Sequence, residues 1–142
     1  MGISLKQNSD GSMGLQGSQL DDGGFLTVSA EWTASSVDKS FFVADRPYVV
    51  KAVRARVTAA GTDAGAVTAA VKKAPSGTAV ASGTALHSGT VNLKGTANTN
   101  QTITLSTTAS DLALAAGDCL GLDFTGVLTA ATGAVTITMA PL

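Results

Sequence analysis

The chain has 142 residues, enough for one domain with a real core. Its formal charge is −1, 13% of its side chains are charged and no Lys/Arg block exists, so direct binding to nucleic acid lacks its electrostatic basis. Roughly half of it is Ala, Gly, Ser and Thr, which suits dense packing against other proteins better than life as a free enzyme at high concentration.

Residues 1–23 are rich in Gly, Ser, Asn, Gln and Asp, with isolated Leu5, Leu15 and Leu20. Nothing there keeps a period of 2 or 3.6, so this stretch reads as a flexible N-terminal arm preceding a domain over 24–142. The three leucines are spaced like separate anchors on a neighbouring subunit or shell, where strand addition to a sheet edge would supply the missing hydrogen bonds. MGISLKQNSDGS has no apolar core of signal-peptide length, and no apolar run approaches a membrane span. Met1-Gly2 suggests myristoylation, but Lys6 stands where Ser or Thr is wanted.

From Gly24 onward the texture is that of short strands divided by turns. GFLTVSAEWT places Leu26, Val28, Ala30 and Trp32 on one face, and KSFFVA is a second short apolar run. PYVVKAVRARVTAA predicts a strand with Val49, Val53, Ala55 and Val57 inward and Arg54 and Arg56 outward. Lys51 interrupts that inner row, which places it near a sheet end where its stem snorkels out. AVTAAVKK then turns Val67, Ala69 and Val71 inward.

The stretch SGTAVASGTALHSGTVNLKGTA sets Gly-Thr at 77, 83, 89 and 95. A hexapeptide β-helix needs a large aliphatic residue at a fixed slot of each coil, and no column here supplies one. The stretch therefore reads as a long connection holding short strands near Ala85–His87 and Val91–Leu93. TITLS, DLALA, CLGLDF and AVTITMA follow, with Ile103/Leu105, Leu112/Leu114, Leu120/Leu122/Phe124 and Val135/Ile137/Met139 inward. Strands at intervals of about ten residues, with turns between, predict an all-β antiparallel sandwich or barrel of about seven to nine strands.

No catalytic constellation emerges. Cys119 is the single cysteine, so no intrachain disulfide forms, and the single histidine, His87, lies far away in the Gly-Thr stretch and reads as a loop residue. AAGD before Cys119 reads as a tight turn, with Gly117 at positive φ and Asp118 bonding local backbone. NSDGS and Asp21-Asp22 lack the Glu that a calcium loop wants at its twelfth position. No cofactor or metal is expected. Trp32 and Tyr48 would floor a sugar site if exposed, yet a core Trp is the simpler assignment. Arg54 and Arg56, when not merely solvated, suit contact with an acidic partner.

At FFVADRPYVVKAVRARVTAAGTDAGAVTAAVKKA and LKGTANTNQTITLSTTASDLALAAGDCLGLDF the chain resembles the capsid decoration, or cement, proteins of tailed bacteriophages, over about 41–142. The resemblance implies a jelly-roll fold without catalytic residues. It implies a structural role on the outer surface of the virion head, tying capsomers together, with the major capsid protein and further copies of itself (a homodimer or homotrimer) as partners. Leu5, Leu15, Leu20, Arg54 and Arg56 are the expected capsid or subunit contacts. The rival expectation is a phage fibre or carbohydrate-binding β-sandwich that recognises host glycans.

Overall fold

A computed structural model describes residues 24–142 and, at the level of the backbone, two short strands before them. Those two, Leu5–Gln7 (β1) and Met13–Leu15 (β2), pair antiparallel with Leu5 opposite Leu15. The remaining strands are β3 (Leu26–Trp32), β4 (Lys39–Val43), β5 (Tyr48–Ala59), β6 (Thr68–Ala74), β7 (Thr84–Ala85) and β8 (Val91–Asn92). They continue with β9 (Thr99–Thr102), β10 (Ala113–Leu114), β11 (Cys119–Thr125) and β12 (Thr132–Pro141).

These ten segments form two antiparallel sheets. One runs β3–β12–β5, with β9 and β10 sharing the far edge of β5: β10 opposite Tyr48 and Val49, β9 opposite Arg54–Val57. The other runs β4–β11–β6, with β7 and β8 sharing the far edge of β6. Taking each split pair as one position, eight positions are filled, four per sheet. The chain alternates sheets from β3 to β6, stays for β7 and β8, crosses for β9 and β10, then alternates again through β11 and β12. That path is the double Greek key of a jelly roll. The fold is an antiparallel β-sandwich of jelly-roll type.

The core lies between the sheets. Ala30 and Trp32 from β3, Val135, Ile137 and Met139 from β12, Val67 beside β6 with its Ala69 and Val71, and Leu120 and Leu122 from β11 are all buried, as the alternation predicts. Phe124 packs against them half-buried.

β5 departs from the expectation. Tyr48 and Val50 are buried while Val49 is half-exposed, and Lys51 is fully outside. Thr138 on β12 sits opposite Ala52 and the next residue, Met139, opposite Val50, so Lys51 is an extra residue, a β-bulge. The bulge reverses the alternation and turns Val50 inward. Lys51 is thus outside by register, and snorkelling is not needed to explain it.

Two further segments differ. Ala109–Leu112 forms one helical turn in place of a strand, leaving Leu112 half-buried, and the strand expected at TITLS ends at Thr102. Ile103 and Leu105 pack half-buried beyond it. The Gly-Thr stretch is no β-helix, and it holds short strands close to the expected places. It is also more than a polar connection: Leu86, Val91 and Leu93 are fully buried, so it closes one side of the core.

Candidate functional site

The outer face of the β3–β12–β5–β9 sheet is built of small polar residues around two arginines. Strict alternation in β5 after the bulge sends Val53, Ala55 and Val57 inward and Arg54 and Arg56 outward. Register then fixes their neighbours. One row across the sheet reads Glu31, Ala134, Arg56, Asn100; the next reads Ser29, Thr136, Arg54, Thr102. Thr138 and Thr27 continue the surface below, and Thr58 and Thr132 share a hydroxyl hydrogen bond of 2.7 Å above.

An open concavity of about 420 Å³ lies here, lined by Arg54, Arg56, Asn100, Thr102, Ala134 and Thr136 among others. The small side chains on the central strand leave this space between the long ones. Gln101, on the opposite face of β9, accepts a hydrogen bond from the Asn92 N–H (3.0 Å) and donates to its carbonyl (2.7 Å). That clasp ties β9 to β8 in the other sheet and fixes where Asn100 and Thr102 stand. The two ion pairs among the described residues, Arg46–Asp45 and Lys72–Asp123, involve neither Arg54 nor Arg56. Both guanidinium groups are solvent-exposed.

The opposite sheet is less open. The 3-10 turn Val80–Ser82 folds over β11 and β6, with Val80 seated directly on Gly121. Lys72 donates to the Ala81 carbonyl (2.7 Å) and pairs with Asp123 (2.7 Å), fastening that cover. A second concavity of about 400 Å³ at one end of the sandwich is lined by Ser36, Val37, Asp38, Phe124, Gly126 and Leu128. Asp38 is occupied there as acceptor for the Phe124 N–H (2.8 Å).

The residues weighed for chemistry are engaged structurally. The Ala115–Asp118 turn forms as expected: Gly117 has φ +90° and the Asp118 carboxylate accepts the Ala115 N–H at 2.9 Å. The Cys119 Sγ lies 3.5 Å from the Ser40 hydroxyl. Trp32 and Tyr48 are buried, at 1% and 6% exposure, and the Tyr48 hydroxyl donates to Asp45 at 2.7 Å. That bond, and secondarily Arg46, holds the Asp45 carboxyl below the usual carboxylate range. Neither ring is presented for stacking on a sugar.

His87 corrects the expectation of a loop histidine. It is 4% exposed, bridges to Leu105, and its Nε2 accepts the Val71 N–H at 2.9 Å. An accepting Nε2 leaves the proton on Nδ1, near the Ser88 carbonyl. Burial lowers its pKa below 6.5, outweighing the backbone carbonyls of Ser88 and Gly89 that raise it. Because the folded-state pKa is the lower one, stability is full above 6.5 and falls as pH drops from there to the folded value. Urea midpoints should therefore decrease as pH falls below 6.5, and His87→Gln should flatten that part of the decline. An unchanged slope in the variant would remove His87 from the account.

Of the expected contacts, Arg54 and Arg56 are brought together at the concavity. The side chains of Leu5, Leu15 and Leu20 lie outside the described residues. Asn100, Thr102 and Thr136 were not singled out by sequence reasoning; their role follows from register between strands distant in the chain.

No protein-family model matches the chain, and no curated protein matches it. Among solved structures, one from Bacillus endospore appendages, described as a family of disulfide-linked pili, is similar over 83% of this chain and 87% of that chain. The identity is 17% and the TM-score 0.36, too loose a likeness to bear on function.

Proposed function

We propose that this protein is a structural virion protein: a decoration, or cement, protein that binds the outside of a tailed-phage head and stabilises contacts between capsomers. The observation that carries the reading is the exposed β3–β12–β5–β9 face, small-featured across its centre and bearing two outward arginines with no ion pair among the described residues. Its jelly-roll frame and the sequence resemblance over 41–142 agree with that role. A face of Thr, Ser and Ala lets another protein approach closely, and Arg54 and Arg56 supply directional donors at its centre. A shell repeats one site many times, so modest contacts are multiplied by symmetry and by association of the protein with itself as a homodimer or homotrimer. The arm over 1–23 adds reach to the same attachment.

The glycan-binding alternative relied on Trp32 and Tyr48 as its stacking rings, and their burial counts against it. Sedimentation tests the choice. Mixed with phage heads stripped of surface proteins, the chain should pellet with them, and Arg54→Glu with Arg56→Glu should weaken that binding by at least about tenfold without unfolding the sandwich. Binding to purified tail fibres or to a glycan array, with none to heads, would overturn the reading.

A further inference from the structure

We propose that the Arg54–Arg56 concavity is a carboxylate site that takes an extended acidic peptide segment with Asp or Glu on alternate residues. This deepens the decoration reading and rests on it for the source of the segment, an exposed acidic strand or arm of the shell protein. Arg54 and Arg56 are two residues apart on one strand, so their stems leave the sheet about 6.6–6.8 Å apart. A peptide laid extended along β5 repeats its side chains with that same period. Carboxylates at positions i and i+2 then meet one guanidinium each, in charge-assisted and bidentate geometry.

The flanks favour this ligand. Thr102 and Asn100 stand directly across from Arg54 and Arg56 on β9, and Thr136 is the other neighbour of Arg54 on β12, giving neutral donors beside each cation. Ala134, beside Arg56, leaves room for the segment's backbone. The nearest acid in these rows is Glu31, on β3, separated from Arg56 by the whole width of β12. The face therefore carries positive charge at its centre that its own rows do not neutralise.

The test is fluorescence anisotropy on the full-length purified protein with labelled Ser/Thr-rich peptides. One carries Glu-Thr-Glu, a second carries Glu-Glu-Thr, and a third Gln-Thr-Gln. In an extended chain adjacent side chains point to opposite faces, so the second peptide has the same charge but offers one carboxylate to the site. The first should bind about tenfold more tightly than the second, and the third should not bind measurably. Arg54→Gln and Arg56→Gln should each weaken the first peptide about tenfold, whereas Lys51→Gln, outside the concavity, should not. Thr136→Glu, which places a carboxylate beside Arg54, should weaken it comparably. Equal binding of the first two peptides, displacement by inorganic phosphate at matched charge, insensitivity to Arg54→Gln and Arg56→Gln, or no binding at all would overturn the proposal. The assay contains no capsid, so its failure leaves the decoration reading standing, and a failure to pellet with heads leaves the peptide result intact.

Discussion

Trp32→Ala should lower the free energy of unfolding by about 3–5 kcal/mol, the range for deleting a buried large aromatic. Trp32 is 1% exposed at the end of β3, and its position on the neighbouring β12 is filled by Gly133. A Cβ at 133 would collide with Trp32 Cζ2 and with the Arg56 carbonyl oxygen, so the indole packs against a strand that has no side chain there. The indole N–H has no partner among the described residues, so the ring stabilises through packing alone and the unbonded donor offsets part of that gain. Gly133→Ala should itself cost about 1–3 kcal/mol, because the opposing carbonyl belongs to the backbone and does not swing aside. The two changes touch the same space, so the double variant should cost less than their sum. Urea unfolding followed by circular dichroism measures all three. Strict additivity, or a loss below about 1 kcal/mol for Trp32→Ala, would contradict this packing.

Leu122→Ala should cost about 2–5 kcal/mol. Leu122 is fully buried in β11, the strand flanked by both β4 and β6, with Val71 as its cross-strand partner. Neighbours on both sides are held by ladder hydrogen bonds, so the cavity collapses poorly and the cost should fall in the upper part of that range. Leu112→Ala, in the one-turn helix and half-buried, should cost clearly less in the same titration. Equal losses at the two sites would mean that the centre of the sandwich is not where the sheets place it.

Much of this architecture is legible in the sequence because period-2 alternation is read locally. β6 and β12 bury the residues their pattern indicates, β3 and β11 do so apart from Leu26, Val28 and Phe124, which pack half-buried against the core, and the Ala115–Asp118 turn follows from its Gly and Asp. What was hidden depends on distant neighbours. The bulge at Lys51 shows only when β5 is set against β12, and it moved Val49 out and Val50 in. The strands β7 and β8 are two residues each, too short for a period, so the burial of Leu86, Val91 and Leu93 was masked by the Gly-Thr residues around them. His87 looked like a loop residue for the same reason; its partner, the Val71 N–H, comes from an edge of β6 that sequence does not identify. At the candidate site the outward arginines were readable, since they alternate with valines and alanine. The side chains that complete the concavity were not, since Asn100, Thr102 and Thr136 reach it through pairing register alone.

The proposed attachment can be seen directly by electron cryomicroscopy of phage heads incubated with this protein. Density for the jelly roll is expected on the outer surface of the shell, with the β3–β12–β5–β9 face turned toward the capsid or a neighbouring copy and Arg54 and Arg56 covered. Heads that show no such density, or a sandwich seated with both arginines open to solvent, would contradict it.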